Sequence, residues 1–186
     1  MTVPARARRI ADLRKLLIIM ESDLATMARL AKQAEEALKL WGAAVKPSEI
    51  EVAGVALLLH HYYTAAEHTF QSIAQILDLT SYSGEAWHRE LLQAMGIALP
   101  GVRDRVLAPD TVRYLDELRG FRHAVRHAYE YDLRWERVRA LAWNLVKSHA
   151  LLEQDLQRLV AELERRIAAL QQEDMAEGAG FEPASP

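Results

Sequence analysis

The chain has 186 residues, enough for about one domain, and its 23 basic and 26 acidic residues give a net charge of −3. Hydrophobic residues make up 51% of the sequence, which excludes a protein that is disordered throughout. Cys is absent, which excludes disulfides, thiolate metal ligands and a cysteine nucleophile. Because there are only eight Gly and six Pro, turns should be few and elements long. Ala and Leu are the commonest residues and favour helix, so the composition predicts an all-α fold.

The sequence favours a location in the cytoplasm. The first nine residues are polar and basic, and the apolar run at 16–20 is shorter than the core of a secretory signal. The longest apolar stretch, residues 52–59, is far below the ~18 residues that span a bilayer. We therefore expect a cytoplasmic protein without a membrane partner. The net charge gives no overall signature of nucleic-acid binding, so any such site has to be local.

Two long helices are predicted first. The segment Arg6–Trp41 holds no Gly or Pro and repeats apolar residues at helical spacing from Ile10 to Leu30. We interpret this apolar stripe as core or dimer interface. The second helix begins near Ser48, because Ser48 and Glu51 have the spacing of a capping box and an apolar run follows them.

A short helix and two longer ones are predicted in the second half of the chain. They are Glu85–Met95 with Ser83 as its cap, a helix from the cap Asp110 to about Tyr131, and Trp135–Gln171. Long helices with short connections predict an antiparallel bundle of four to five helices over residues 1–172. Residues 173–186 include two Gly and two Pro with little to bury, so we expect a disordered tail there.

One face of the helix that begins at Asp110 is basic. At about 100° per residue, one sector of this helix carries five basic or titratable side chains. They are Arg119, Arg122, His123, Arg126 and His127. An ordinary solvated face usually mixes charges, yet no carboxylate lies between Glu117 and Glu130. Like pairs four residues apart cost helix stability, so the pattern predicts an anionic partner such as phosphate. A merely solvated face is the alternative.

The motif Arg122-x4-His127-x-Tyr129 resembles the R-x4-6-H-x-Y signature of HEPN-domain toxins of the HepT-like type. The segments 59–67 and 84–92 also resemble those of HepT-like chains. The setting agrees, because the motif lies late in a helix of an all-α chain and a long helix follows it. The resemblance covers nearly all of the chain ahead of the expected tail, and it implies a HEPN-like bundle.

The resemblance implies a metal-independent endoribonuclease toxin of a type II/VII-like toxin–antitoxin system. Such toxins need no cofactor and act as homodimers, with the two motifs lining a cleft between protomers. The implied partner is a minimal nucleotidyltransferase antitoxin, which can AMPylate the motif tyrosine, here Tyr129. The sequence departs from the family pattern at His123, where Asn or another polar residue is common.

Metal-free RNA cleavage requires activation of a 2′-hydroxyl, stabilisation of a dianionic phosphorane and protonation of the 5′-oxygen. We assign proton transfer to His127, and phosphate binding with transition-state stabilisation to Arg122. The remaining residues of the basic face would hold the RNA backbone; they are Arg119, His123 and Arg126. A second imidazole is needed, either the partner subunit's His127 or His123.

Other histidines are open to simpler interpretations. Glu85-x-x-His88 is half of a di-iron pattern, but no second pair exists, so we predict no metal site and place His88 in packing or support. We interpret His60 and His61 as interface or surface residues. The isolated histidines His68 and His149 are predicted on polar faces. Two alternatives to the ribonuclease are a noncatalytic helical module that binds a nucleotidyltransferase or nucleotide, and a four-helix metal carrier.

Overall fold

A computed structural model describes residues 2–41, 45–126 and 133–179, except for the side chains of 123–126 and 177–179. The described residues form five helices and no β-strand, which confirms the all-α prediction. The helices are α1 (Val3–Leu40), α2 (Glu49–Ile76), α3 (Trp87–Met95), α4 (Pro109–Arg126) and α5 (Trp135–Ala179).

The three longest helices pack side by side. Helix α1 contacts both α2 and α5 along its length. Early α1 meets late α2, because the Arg9 guanidinium donates to the Ile76 carbonyl at 2.8 Å. The two helices are therefore antiparallel, as a bundle with short connections requires. Helix α4 packs across α2, α3 and α5, and α3 contacts α2 and α4.

The apolar stripe of α1 lies in the hydrophobic core. Its residues at helical spacing are buried in one continuous cluster with α2 and α5. Those from α1 are Ile10, Leu13, Leu16, Met20, Met27 and Leu30. The largest fully buried side chains come from α2 and include Tyr62, Tyr63 and Phe70. Of the two interpretations of the stripe, core packing is the one that the fold supports.

The start of α2 confirms the predicted capping box. The backbone N–H of Ser48 donates to the Glu51 carboxylate at 2.7 Å, and the Glu51 N–H donates to the Ser48 hydroxyl at 3.4 Å. These two bonds satisfy donors that a helix leaves unpaired at its first turn. The predicted start of α3 is wrong by two residues, because α3 begins at Trp87 and no side chain caps it, so Ser83 is not its cap.

The cap of α4 comes from another helix. Helix α4 begins at Pro109, so Asp110 lies inside the first turn and is not the N-cap as predicted. The buried carboxylate of Asp155 on α5 instead accepts from the Ala108 N–H at 2.8 Å and from the Thr111 hydroxyl at 2.7 Å. A contact across 47 residues of sequence overrides the local capping pattern. The predicted end at Tyr131 lies outside the described residues.

The last helix is longer than predicted. It begins at Trp135 as expected but continues past Gln171 to Ala179. The first part of the expected tail is therefore helical, and its acidic side chains contact the buried Arg6 of α1. Arg6 Nη1 lies 3.3 Å from Asp174 Oδ1, and Arg6 Nε lies 3.6 Å from Glu173 Oε2. These ion pairs give the acidic residues a partner that composition alone does not reveal.

The connection between α3 and α4 is anchored by a buried arginine. The Arg103 guanidinium bonds both oxygens of Asp78, at 2.7 and 2.8 Å, and its side chain is fully buried. It also donates to the carbonyls of Ile97 and Ala94 at 2.9 and 3.2 Å. The predicted loop is thus tied to the end of α2 by a two-pronged ion pair. Across residues 2–41, 45–126 and 133–179, no helix is both long enough and apolar enough to cross a membrane.

Candidate functional site

A buried carboxylate on α2 faces α4. Glu67 lies one turn from the buried Tyr63 and Phe70, on the core side of α2, and only 4% of the residue is exposed. Its Oε2 lies 3.2 Å from Nη2 of Arg122, and its Oε1 lies 3.5 Å from Nη1. An ionised carboxylate loses hydration energy when it is buried, so it needs a charged partner that compensates for this loss. The Arg122 guanidinium is that partner.

His88 at the start of α3 joins this pair. Its Nδ1 bonds Oε1 of Glu67, and Nη1 of Arg122 lies 3.0 Å from both of its ring nitrogens. Equal distances to two nitrogens mean that the guanidinium lies across the imidazole face and does not point at one lone pair. The Trp87 ring stacks on the same imidazole with centroids 3.6 Å apart and planes tilted by 31°. We call Glu67, His88 and Arg122 the Glu–His–Arg cluster.

Arg122 is held more tightly than a surface cation. Its side chain is 14% exposed, and the apolar residues Leu118 and Phe121 on the same helix are buried. The Arg122 Nε is buried and has no hydrogen-bond partner among the described residues. Nη1 contacts Glu67 and His88, whereas Nη2, in the part of the chain that the structure describes, pairs with Glu67 alone, so the second N–H of Nη2 remains for another anion.

The basic face is less cationic than predicted. Arg119 Nε bonds Asp116 Oδ1 at 2.7 Å, one turn earlier on α4, and Arg122 is paired with Glu67 of α2. These two arginines therefore already have carboxylate partners within the chain. A count of charges over residues 118–129 includes neither carboxylate, because Asp116 precedes that window and Glu67 lies on a different helix.

Tyr63 lies in the core next to the cluster. Burial raises the pKa of its hydroxyl far above the usual value, and the Glu67 carboxylate raises that pKa further. Arg119 and Arg122 lower the pKa, but burial dominates, so Tyr63 stays neutral. The neutral, buried Tyr63 ring supports the position of Glu67 by packing, while Arg122 is the charge partner of the Glu67 carboxylate.

The structure describes several of the predicted site residues only in part or not at all. His127 and Tyr129 lie outside the described residues. His123 and Arg126 lie in the last described turn of α4, where the backbone alone is described. The structure therefore brings together Arg122 and Arg119, on successive turns, with carboxylates from their surroundings.

The remaining histidines have distinct environments. His68 is exposed, as predicted, with Nδ1 2.8 Å from Asp23 Oδ2. His149 is half-buried, and its Nδ1 lies 3.0 Å from the hydroxyl of the buried Tyr62, so its predicted place on a polar face is wrong. Burial lowers the pKa of His149 below its usual value. His61 is exposed beside a groove between α1 and α2.

The half di-iron pattern does not form a metal site in the described part of the chain. His88 turns toward Glu67 and Arg122, so its imidazole belongs to an ion-pair cluster. In residues 2–41, 45–126 and 133–179, no three His, Asp or Glu side chains are grouped closely enough to hold a metal ion. An arginine beside both Glu67 and His88 would also repel a cation there.

Sequence reasoning missed Glu67 as a site residue and treated His88 only as support. The available signal was a carboxylate on the apolar stripe of α2, at helical spacing from Tyr63 and Phe70. A charged residue at such a position is rarely buried unless it is paired. Both residues fall in the segments 59–67 and 84–92, whose likeness to HepT-like chains was already apparent.

A family model described as HepT-like protein matches residues 54–172, well over half of the chain. The chain belongs to the HepT-like family. The matched part of this HepT-like chain contains the whole Glu–His–Arg cluster and the motif from Arg122 to Tyr129, while α1 precedes it. Neither a curated protein nor a solved structure matches this HepT-like chain.

Proposed function

We propose that this HepT-like chain is a metal-independent endoribonuclease toxin of a type II/VII-like toxin–antitoxin system. The observation that carries the proposal is that Arg122, the arginine of the HepT-like motif, is held by Glu67 and His88 in a mostly buried cluster. Family membership supports the same assignment. A guanidinium fixed in a mostly buried position is preorganised to stabilise the negative charge that develops on phosphate.

The chemistry assigns Arg122 to the phosphate. Glu67 occupies one edge of the guanidinium and holds it in place, and the free N–H donors bind nonbridging phosphate oxygens. The Glu67 carboxylate already balances part of the Arg122 charge before RNA binds. The phosphate therefore displaces water, and not an external counterion, from the guanidinium. His127, five residues later in the motif, transfers a proton, since imidazole titrates near neutral pH.

The neighbouring basic residues bind the RNA backbone. Arg119 precedes Arg122 by one turn, and its partner Asp116 is 52% exposed, so a phosphate can replace that carboxylate at little cost. His123 and Arg126 follow on the same helix and extend the anion-binding surface toward His127.

The proposed partners follow from the family. The toxin acts as a homodimer whose two motifs line one cleft, and a minimal nucleotidyltransferase antitoxin neutralises it. That antitoxin AMPylates Tyr129, which follows His127 by two residues. The added phosphate would compete with RNA for the Arg122 guanidinium, so inactivation requires no change of fold.

Cleavage assays with purified protein test the enzymatic proposal. His127→Ala should lower the rate of RNA cleavage by about 10²–10⁴-fold, the usual contribution of general acid–base catalysis. His68→Ala replaces an exposed imidazole on α2 and is the matched control, which should cleave like wild type. Wild-type protein that leaves structured and unstructured RNA intact, or equal rates for His127→Ala and wild type, would overturn the proposal.

The regulatory proposal has its own test. After coexpression with a minimal nucleotidyltransferase antitoxin, the toxin should gain the mass of AMP and lose cleavage activity. Tyr129→Phe should neither gain that mass nor be inactivated by modification. An inactivated protein without a mass change would show that the antitoxin acts by steric blocking.

A noncatalytic binding module is the second candidate, because Arg119 and Arg122 both already have carboxylate partners. Expression of the chain alone separates the two functions. Growth arrest that requires His127 supports the toxin, whereas harmless expression of a folded protein supports the module.

A further inference from the structure

The Glu–His–Arg cluster contains an imidazole that the proposed chemistry of Arg122 and His127 does not use. The Nδ1 of His88 bonds the buried carboxylate of Glu67. A carboxylate oxygen accepts a hydrogen bond from an imidazole N–H, so the bond to Glu67 favours a proton on Nδ1, and in the corresponding neutral tautomer the lone pair is on Nε2. A buried carboxylate that fixes the tautomer of an imidazole is the arrangement of a histidine base.

The imidazole of His88 is also fixed in orientation. Trp87 stacks on the ring at 3.6 Å, and Nη1 of Arg122 lies 3.0 Å from both ring nitrogens. Two groups this close cannot share one face of the ring, so they lie on opposite faces. The His88 side chain is 22% exposed while that of Glu67 is 6% exposed. With Nδ1 bonded to Glu67, Nε2 lies on the edge of the ring away from that carboxylate, beside Nη1 of Arg122.

We infer that His88 is the general base of the site, a second imidazole supplied by the same protomer as Arg122. This inference rests on the proposed ribonuclease function and deepens it. A phosphate oxygen bound to Arg122 lies about 2.8 Å from a guanidinium nitrogen. Since His88 contacts that same guanidinium at 3.0 Å, the ribose beside the bound phosphate comes within reach of its Nε2.

The proposed reaction uses His88 as the base and His127 as the acid. Nε2 of His88 takes the proton of the 2′-hydroxyl, and the 2′-oxygen forms a bond to phosphorus. The bond from phosphorus to the 5′-oxygen breaks, and that oxygen takes a proton from the imidazolium of His127. The products are a 2′,3′-cyclic phosphate and a 5′-hydroxyl. Glu67 stabilises the imidazolium formed at His88, and exchange with water restores both rings.

This assignment changes the role of the dimer in the proposed mechanism. A second imidazole is available on α3, so neither His123 nor the partner subunit's His127 has to act as the base. Each cluster then contains a base, a carboxylate that orients it and a phosphate-binding arginine. The cleft between protomers serves to hold RNA.

His88→Gln is the first test, because Gln keeps a hydrogen-bonding side chain but cannot accept the proton. The rate constant for cleavage should fall by about 10²–10⁴-fold, while affinity for an RNA with 2′-deoxyribose at the cleavage site stays within about twofold. His68→Gln is the matched control, since His68 also pairs with a carboxylate but lies outside the cluster. Wild-type rates for His88→Gln would overturn the inference.

A modified substrate separates a base from a positioning residue. RNA with sulfur in place of the 5′-bridging oxygen has a leaving group that needs no proton, so it should restore cleavage by His127→Ala. It should leave the defect of His88→Gln unchanged, because the 2′-hydroxyl still needs a base. Rescue of His88→Gln by this substrate would contradict the assignment.

A measurement on the unmodified protein does not depend on how the variants fold. Nitrogen NMR of the histidine-labelled wild-type chain should show His88 with its proton on Nδ1 and a bare Nε2. The opposite tautomer would exclude a base at Nε2. If wild type fails to cleave RNA, the proposed function falls as well; if only His127→Ala is defective, the ribonuclease stands and the role of His88 is rejected.

Discussion

Glu67 and Arg122 lie 55 residues apart in the chain and form a mostly buried ion pair between α2 and α4. This pair fixes the arginine of the HepT-like motif against the core, with His88 bonded to the same carboxylate. The motif arginine therefore holds α2 and α4 together, and we propose that its remaining donors bind phosphate.

Loss of the Glu67 charge should destabilise the fold. In Glu67→Gln the Arg122 guanidinium stays mostly buried without its counter-charge, and removing one partner of such a pair typically costs about 3–5 kcal/mol of unfolding free energy. Urea unfolding measures the loss. Glu35→Gln is the control, because Glu35 pairs with Lys39 on one helix with both side chains exposed, so the loss should be below about 1 kcal/mol. Equal losses in the two variants would contradict a buried, structural role for Glu67.

Most of the helical architecture follows from local sequence signals. The all-α class, the capping box at Ser48 and the start of α5 at Trp135 depend on spacing and composition within a few residues. The predicted cap of α4 failed because its hydrogen bonds come from Asp155, on a different helix. Local patterns contain no information about such a partner.

Only the α4 part of the site could be predicted from the sequence. Spacing within α4 identified Arg122, but it could not reveal Glu67 or the orientation of His88, which depend on how α2 and α3 pack against α4. The same limit explains why the basic face looked unpaired. A charge count along one helix cannot include carboxylates that tertiary packing brings to it.

The buried arginine of the α3–α4 connection should be as important to stability as a core residue. Asp78→Asn should cost about 3–5 kcal/mol of unfolding free energy, because the fully buried Arg103 loses its charge partner. Arg103→Met should also destabilise, and the double variant should lose less than the sum, with a coupling of about 1–3 kcal/mol. Additive losses in this cycle would mean that the two side chains do not act as a pair.

The cap that Asp155 provides to α4 should be measurable against the cap that the sequence predicts. Asp155→Ala removes acceptors for the Ala108 N–H and the Thr111 hydroxyl, and the loss should be about 1–2 kcal/mol or more. Asp110→Ala is the matched control on the same helix, and it should change unfolding free energy by less than about 0.5 kcal/mol, since Asp110 makes an exposed pair with Arg113. A larger loss for Asp110→Ala would restore it as the cap.

His149 should make stability fall as the pH falls below neutrality. Burial lowers its pKa in the folded protein, although Glu153 opposes the shift, while the unfolded chain binds a proton near pH 6.5. As the pH drops through about 6.5, the unfolded state takes up a proton that the folded state does not, so the unfolding free energy decreases until the folded pKa is reached. His149→Gln should remove this part of the pH dependence, as followed by urea unfolding from pH 8 to pH 5.

The Tyr62→Phe variant tests whether burial or the hydrogen bond to Tyr62 causes the pH dependence attributed to His149. Burial raises the pKa of the Tyr62 hydroxyl, so it stays protonated and forms a neutral hydrogen bond with Nδ1 of His149 at 3.0 Å. Without that hydroxyl the protein should lose about 1 kcal/mol at neutral pH, yet most of the pH dependence should remain, because desolvation of the imidazole persists. A flat profile for Tyr62→Phe would mean that the hydrogen bond, and not burial, keeps His149 neutral.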